Sequence, residues 1–194
     1  ARRHASESLV DTMARIHSVD LAAVGLDDLG KHEGYIARQL KRWYGQWNAQ
    51  KTRDLPAVDH VHDELLRRIP EQGPATIVHG DYRIDNTILA SDDISTIRAV
   101  VDWELATVGD VLPDVALMCV YRQPELDAVL GVHAAWASDR LPTGDALAHM
   151  YAVRARKGRI LHLPLGVARA AAAAIRPLHE GIAQDLFAAR MKVH

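Results

Sequence analysis

The sequence predicts an α+β fold, and three observations carry that prediction. Apolar residues recur at helical spacing as far as Ile69. β-branched triplets separated by turn residues fill the stretch 76–101, and helical spacing returns after Asp110. Helices, then a small strand cluster, then helices again is the order of an α+β domain with little sheet, not of an alternating βαβ fold.

The first helix is expected over residues 5–19, where Leu9, Met13 and Ile16 share a face and Asp11 and Arg15 lie opposite. It should end near Val19-Asp20, with Gly25 in the loop beyond. A second helix, 33–49, carries the stripe Ile36, Leu40, Trp43 and Trp47 against Arg38, Lys41 and Arg42. A third, 57–69, turns Val58, Val61, Leu65 and Ile69 inward, and Pro70 with Gly73-Pro74 stops it. Strands are expected at Thr76-Ile77-Val78, at Thr87-Ile88-Leu89 and from Thr96 to Val101. Ser91-Asp92-Asp93 makes the hairpin turn between the last two. Later helices are expected at 112–121, 125–136, 143–156 and 167–192, with breaks at Leu141-Pro142-Thr143 and Gly158 and a kink at Pro177. Trp43, Trp47 and Trp103 are expected in the core, and Trp136 in the core or, failing that, in a substrate wall. Cys119 should be a packed, unreactive thiol, and the arginines of 154–159 should form a solvated face.

Composition narrows the function classes. A chain of 194 residues suits one domain or one lobe of a larger protein, and 48% hydrophobic residues is enough for a core. A net charge of -2 and a pI of 6.6 argue against a nucleic-acid or membrane surface. No apolar run approaches the length of a membrane span; the longest small-apolar stretch, 170–175, sits between Arg169 and Arg176. The single cysteine cannot form an internal disulfide, so a cytoplasmic location is expected. The histidines are scattered and no CxxC or HExxH pattern occurs, so no zinc site is expected. The pattern fixes no oligomeric state. The chain begins Ala1-Arg2-Arg3, without methionine and without a signal-peptide core, and is expected to be a fragment.

The chemistry concentrates in two segments. Val78-His79-Gly80-Asp81-Tyr82-Arg83-Ile84-Asp85-Asn86 places a strand end, a glycine and an acidic loop in sequence. Val100-Val101-Asp102-Trp103-Glu104 ends another strand on a carboxylate. Asp81, Asn86 and Asp102 thus stand on loops at strand ends, where functional groups are displayed. Two carboxylates and an amide oxygen are hard ligands that suit Mg²⁺. Phosphoryl transfer needs this set: a carboxylate to orient and deprotonate the attacking hydroxyl, oxygens for the metal, and a cation near the phosphoryl group. The five-residue spacing of Asp81 and Asn86 is also that of Asp and Asn in the protein-kinase catalytic loop.

His79 to Asn86 resembles the HGDxxxxN motif of the aminoglycoside phosphotransferase/choline kinase family. Asp102-Trp103-Glu104-Leu105-Ala106-Thr107-Val108-Gly109-Asp110 with Pro113-Asp114-Val115-Ala116 is similar to its downstream DWExAxxGDPxxDLA motif. Together the two are specific, and the wording is that of the branch whose domains are fused to acyl-CoA dehydrogenases. The resemblance covers about residues 1–136. It implies a protein-kinase-like fold, with the whole chain, 1–194, as the C-terminal lobe and an N-terminal nucleotide lobe preceding Ala1. It implies transfer of the γ-phosphate of ATP or GTP, with Mg²⁺, to a small-molecule alcohol. Asp81 would be the base, and Asn86 and Asp102 the metal ligands. Arg83 would reach the γ-phosphate, and His79, Asp110 and Asp114 would support the loop. Asp114 would do so by accepting hydrogen bonds from the loop backbone. The chain departs from the pattern at Val111-Leu112-Pro113, where proline normally follows Gly-Asp directly. No Gly-rich phosphate loop is present.

Rival readings are a degenerate lobe that binds without transfer, and a metal-dependent phosphohydrolase, which would need more ligands. A protein kinase fits worse, because Asp102-Trp103-Glu104 stands in place of DFG and no A-P-E follows. Glu104 could touch substrate or simply be solvated. The fused-domain resemblance favours a hydroxyacyl-type or other metabolic alcohol over an antibiotic.

Overall fold

The structure is a computed structural model that describes residues 2–123 and 138–157. The helices expected at 125–136 and 167–192, together with Trp136, Gly158 and Pro177, lie outside the described residues. The described elements run α1 (Arg2–His17), α2 (Tyr35–Gln50), α3 (Pro56–Arg67), β1 (Thr76–Val78), β2 (Thr87–Leu89), β3 (Ile97–Val100), β4 (Thr107–Gly109), α4 (Leu112–Val120) and α5 (Gly144–Lys157). This is α+β, helices around two small antiparallel sheets.

Local chemistry sets the helix ends. α1 stops at His17, earlier than expected, where Ser18 donates through both its N–H and its hydroxyl to the Arg15 carbonyl. α2 starts after Gly34, whose φ of 60° cannot continue a helix. α3 opens on Pro56 at its first turn and ends before Pro70, which bars helical geometry at the residue preceding it. Thr143 caps α5, its hydroxyl accepting from Ala146 N–H at 3.2 Å.

The core joins α1, α4 and α5. Leu9, Val10 and Met13 pack with Val115, Met118 and Cys119, and with Leu147, Tyr151 and Ala152. Ala148, Ala152 and Ala155 let α5 approach closely. Gly144 lies against Cys119, whose thiol donates to its carbonyl at 3.3 Å. Burial and then the charge of Asp145 push that thiol up to about 12, so it stays protonated and packed. Arg154 pairs with Asp11 of α1; it belongs to the α1–α5 contact, not to a solvated face.

Two tryptophans depart from expectation. Trp43 is 57% exposed, with Arg42 stacked over its ring, because α2 meets α3 through Tyr44 instead. Tyr44 donates to Asp59 at 2.8 Å and stacks on His62. Trp103 is 40% exposed, its indole N–H bonded to the Val100 carbonyl at 2.9 Å. Trp47 is only partly buried.

The hairpin β2–β3 pairs Thr87 with Val100 and carries an irregularity at Ile88/Leu89. Asp93 closes its turn by accepting from Ser95 and Thr96. The second sheet holds a strand that the sequence pattern did not reveal: β4, antiparallel to β1 with Thr76 opposite Gly109. Thr107-Val108 is followed at once by glycine, which leaves no β-branched run to mark a strand. Gly109 ends the strand because a Cβ there would come within 2.6 Å of the Tyr35 ring. Among the described residues no helix is long and apolar enough to cross a membrane.

Candidate active site

β1 delivers the chain to a loop, 79–86, that is anchored from below by Asp114. This carboxylate is fully buried in the first turn of α4. It accepts the N–H of His79 at 2.7 Å, the N–H of Gly80 at 2.8 Å and Nε2–H of His17 at 3.1 Å. His17 Nδ1 in turn stands 2.7 Å from the Tyr151 hydroxyl. Burial first, then the charge of Asp114, holds the Tyr151 phenol well above its usual range, so it keeps its proton. The chain Tyr151–His17–Asp114 therefore ties α5 and α1 to the loop.

His79 is equally enclosed. Its Nε2–H donates to the Val101 carbonyl at 3.0 Å, and its Nδ1 accepts the Asp81 N–H at 3.3 Å. A carbonyl only accepts and an N–H only donates, so these two partners fix the neutral tautomer with the proton on Nε2. The ring spans from the loop to the end of β3 and leans on Trp103.

Gly80 makes the turn possible. Its φ is +86°, and a Cβ there would lie 2.7 Å from the Leu105 carbonyl oxygen, which is backbone and cannot swing away. Gly80→Ala is expected to cost about 2–4 kcal/mol from the strained φ and the clash together. A urea-unfolding midpoint equal to that of the wild type would contradict this.

Above the anchor stands Asp81. Asn86, in a 3-10 turn spanning Ile84–Asn86, uses Nδ2 to donate to the Asp81 carbonyl at 2.8 Å and to its Oδ2 at 3.0 Å. Arg83 Nε lies 3.4 Å from the same Oδ2, without hydrogen-bond geometry. Tyr121, just past α4, donates its hydroxyl to Oδ1. Burial, then this bond to Asp81, raises the Tyr121 phenol, so it remains a donor. Arg83 also sits over the Tyr121 ring at 5.5 Å.

Asp102 enters from the other side. The register that sets Thr87 against Val100 puts Asn86 beside Val101, whose N–H donates to the Asn86 carbonyl at 2.9 Å, with Asp102 next in the chain. Asp102 is exposed and adopts φ 66°, ψ 56°. Among the described residues it is the one non-glycine with positive φ, a strain that collects at functional positions. Asp110 lies apart from this group. It accepts the Gly73 N–H at 3.1 Å and, at 2.8 Å, the N–H of Leu112, the first residue of α4. Glu104 is exposed.

The structure thus joins Asp81, Arg83 and Asn86 by direct contact and brings in Asp102 through strand register. The sequence pattern missed Tyr121, His17 and Tyr151. One signal could have found Tyr121: it follows Asp114 by seven residues, two helical turns along one face.

The donor set fits a hard cation. The Asn86 amide nitrogen donates twice to Asp81, so its Oδ1 is the atom that could meet a cation, and Asp102 offers an exposed carboxylate. Among the described residues no cluster of three or more His, Cys, Asp and Glu could hold a metal. An apolar recess of about 50 Å³ opens beside Tyr121 and Arg83, lined by Leu9, Tyr82, Met118 and Leu147, with Arg122 at its edge.

Mouse acyl-CoA dehydrogenase family member 10 is 44% identical over 108 residues, 56% of this chain and 10% of that protein. Rat acyl-CoA dehydrogenase family member 11 is 37% identical over 115 residues, 59% of this chain and 15% of that protein. The chain therefore spans only a small part of the curated relatives it matches. Among solved structures, a candidate aminoglycoside phosphotransferase of Ralstonia eutropha superposes with a TM-score of 0.60 at 24% identity, covering 94% of this chain and 64% of its own. Macrolide 2'-phosphotransferase MphH of Brachybacterium faecium gives 0.58 at 18% identity, covering 95% of this chain and 54% of its own. At these identities the likeness establishes the fold, that of the kinase-like phosphotransferases, with a mostly helical lobe and a small β cluster carrying the loop. Residues 1–150 match the phosphotransferase enzyme family, and the chain belongs to that family.

Proposed function

We propose that the chain is the C-terminal lobe of a kinase that moves the γ-phosphate of ATP or GTP to a hydroxyl of a small molecule. The observation that carries this reading is the clamping of Asp81 by Asn86, Arg83 and Tyr121 on a loop bolted to buried Asp114. A carboxylate held so is oriented for one task. Asp81 would accept the proton of the acceptor hydroxyl as its oxygen attacks the γ-phosphorus and the bond to the β–γ bridging oxygen breaks. Arg83, whose Nε is buried beside Asp81, would meet charge developing on the transferred group. Asn86 Oδ1 and Asp102 would hold Mg²⁺, which when bound neutralises the phosphate oxygens.

Two further observations bear on partners. Val101, Trp103 and Leu105 are exposed around Asp102, which supports a nucleotide site completed by a second lobe packed on that rim. Among the described residues, the lining of the recess near Asp81 includes Arg83 and Arg122 and no carboxylate. That supports a metabolic alcohol with an apolar portion over a polycationic antibiotic, as does kinship with acyl-CoA dehydrogenase family members. A phosphohydrolase would recruit histidine ligands, yet both ring nitrogens of His79 are engaged.

The test is calorimetry of Mg·ATP binding to the full-length protein. Asp102→Asn is expected to weaken Mg·ATP binding by about tenfold or more while leaving Mg-free nucleotide binding unchanged. Equal Mg·ATP affinity in both proteins would remove Asp102 from the metal. No binding by the wild type would turn the reading to a lobe that binds some other ligand without transfer.

A further inference from the structure

We propose that Tyr121 makes the site selective for an alcohol over water, its hydroxyl holding the acceptor position on Asp81 until a substrate hydroxyl displaces it. This rests on the phosphotransfer reading above. The two oxygens of Asp81 are differently engaged. Oδ2 receives Asn86 Nδ2–H at 3.0 Å and faces Arg83 at 3.4 Å, so it is turned toward the protein's own loop. Among the described residues, Oδ1 receives one group, the Tyr121 hydroxyl. That group is itself an alcohol O–H, the same donor an acceptor substrate would present to the base.

Tyr121 is well placed to stand in for the substrate and then yield. It sits just past the end of α4, on the face that begins with Asp114, so one helix fixes both the loop and the plug. Burial keeps the phenol protonated, and it remains a donor. Its ring borders the apolar recess between Leu9, Met118 and Leu147, where an entering carbon skeleton would press against it. Water has no skeleton to do so. With nucleotide bound and no acceptor, the base is covered and hydrolysis is slow.

Removing the hydroxyl opens Oδ1 to a water molecule. The water oxygen would bond to the γ-phosphorus and the bond to the β–γ bridging oxygen would break. Asp81 would take one water proton, and ADP and inorganic phosphate would leave.

The experiment measures phosphate release from Mg·ATP by the full-length protein with no acceptor added. Tyr121→Phe keeps the ring beside Arg83 and is expected to hydrolyse ATP about tenfold faster than the wild type, the worth of one hydrogen bond to a charged group. Its Mg·ATP affinity should stay within about twofold, since Tyr121 reaches the base and not the nucleotide. Adding Asp81→Asn should abolish the gain, which routes it through the base. A Tyr121→Phe protein that binds Mg·ATP yet hydrolyses it no faster than the wild type overturns the proposal. Should that variant not fold, Tyr121→Met refills the space with a flexible thioether that lacks the donor and carries the same expectation. A wild type that neither binds Mg·ATP nor transfers phosphate overturns the phosphotransfer reading and this inference with it.

Discussion

Replacing Asp81 by asparagine is expected to lower kcat by about a thousandfold while nucleotide affinity is retained. The two side chains have the same size, so the loss is chemical. Asparagine cannot accept the proton of the attacking hydroxyl. It also disturbs the clamp: Tyr121 donates to one oxygen and Asn86 to the other, so either orientation of the new amide sets N–H against a donor. The fold should tolerate this, because the Asp81 side chain is 19% exposed and the loop hangs from Asp114 rather than from Asp81. Steady-state transfer kinetics decide the matter, and a kcat within about threefold of the wild type would remove Asp81 from the role of base.

The second large effect is expected at Asp114, on stability first. Asp114→Ala leaves three buried donors, the N–H groups of His79 and Gly80 and Nε2–H of His17, without an acceptor. Breaking a buried hydrogen-bonded charge in this way costs about 3–5 kcal/mol. A domain commonly has only about 5–15 kcal/mol in total. Asp114→Asn should cost less, since it keeps one acceptor oxygen. The urea midpoint should therefore order as wild type, then asparagine, then alanine. What folded alanine variant remains should also transfer phosphate slowly, because the loop that aims Asp81 has lost its anchor. An alanine variant as stable as the wild type would falsify this account of the anchor.

The parts of the site legible from the residues alone are those whose contacts are local, and the longer reach of Asp114 to the loop was carried by the motif resemblance. Asp81 and Asn86 are five residues apart and touch directly. The turn between β2 and β3 is closed by Asp93 on its near neighbours. What could not be read depends on long closures. Tyr121 reaches Asp81 across 40 residues, His17 reaches Asp114 across 97, and Tyr151 reaches His17 across 134. No periodicity records which turn of one helix faces which loop. β4 was hidden for a different reason: Thr107-Val108-Gly109 ends on a glycine, whereas its partner β1 is apolar or β-branched throughout, Thr76-Ile77-Val78. Apolar pattern overstated the burial of Trp43 and Trp103. A stripe at helical spacing tells which residues share a face, not how much neighbouring structure covers it, and Trp43 on α2 stands 57% exposed.

The backbone at Asp102 has an evolutionary consequence. A φ of 66° admits glycine, asparagine and aspartate with ease and resists most other side chains. The cation proposed for that position asks for a carboxylate, which aspartate and glutamate provide. The two demands overlap in a single amino acid. An active lineage has no neutral detour through this position, whereas a copy released from catalysis would drift first to asparagine or glycine, which keep the turn and discard the charge. The residue at this one site should therefore separate working copies of the domain from retired ones.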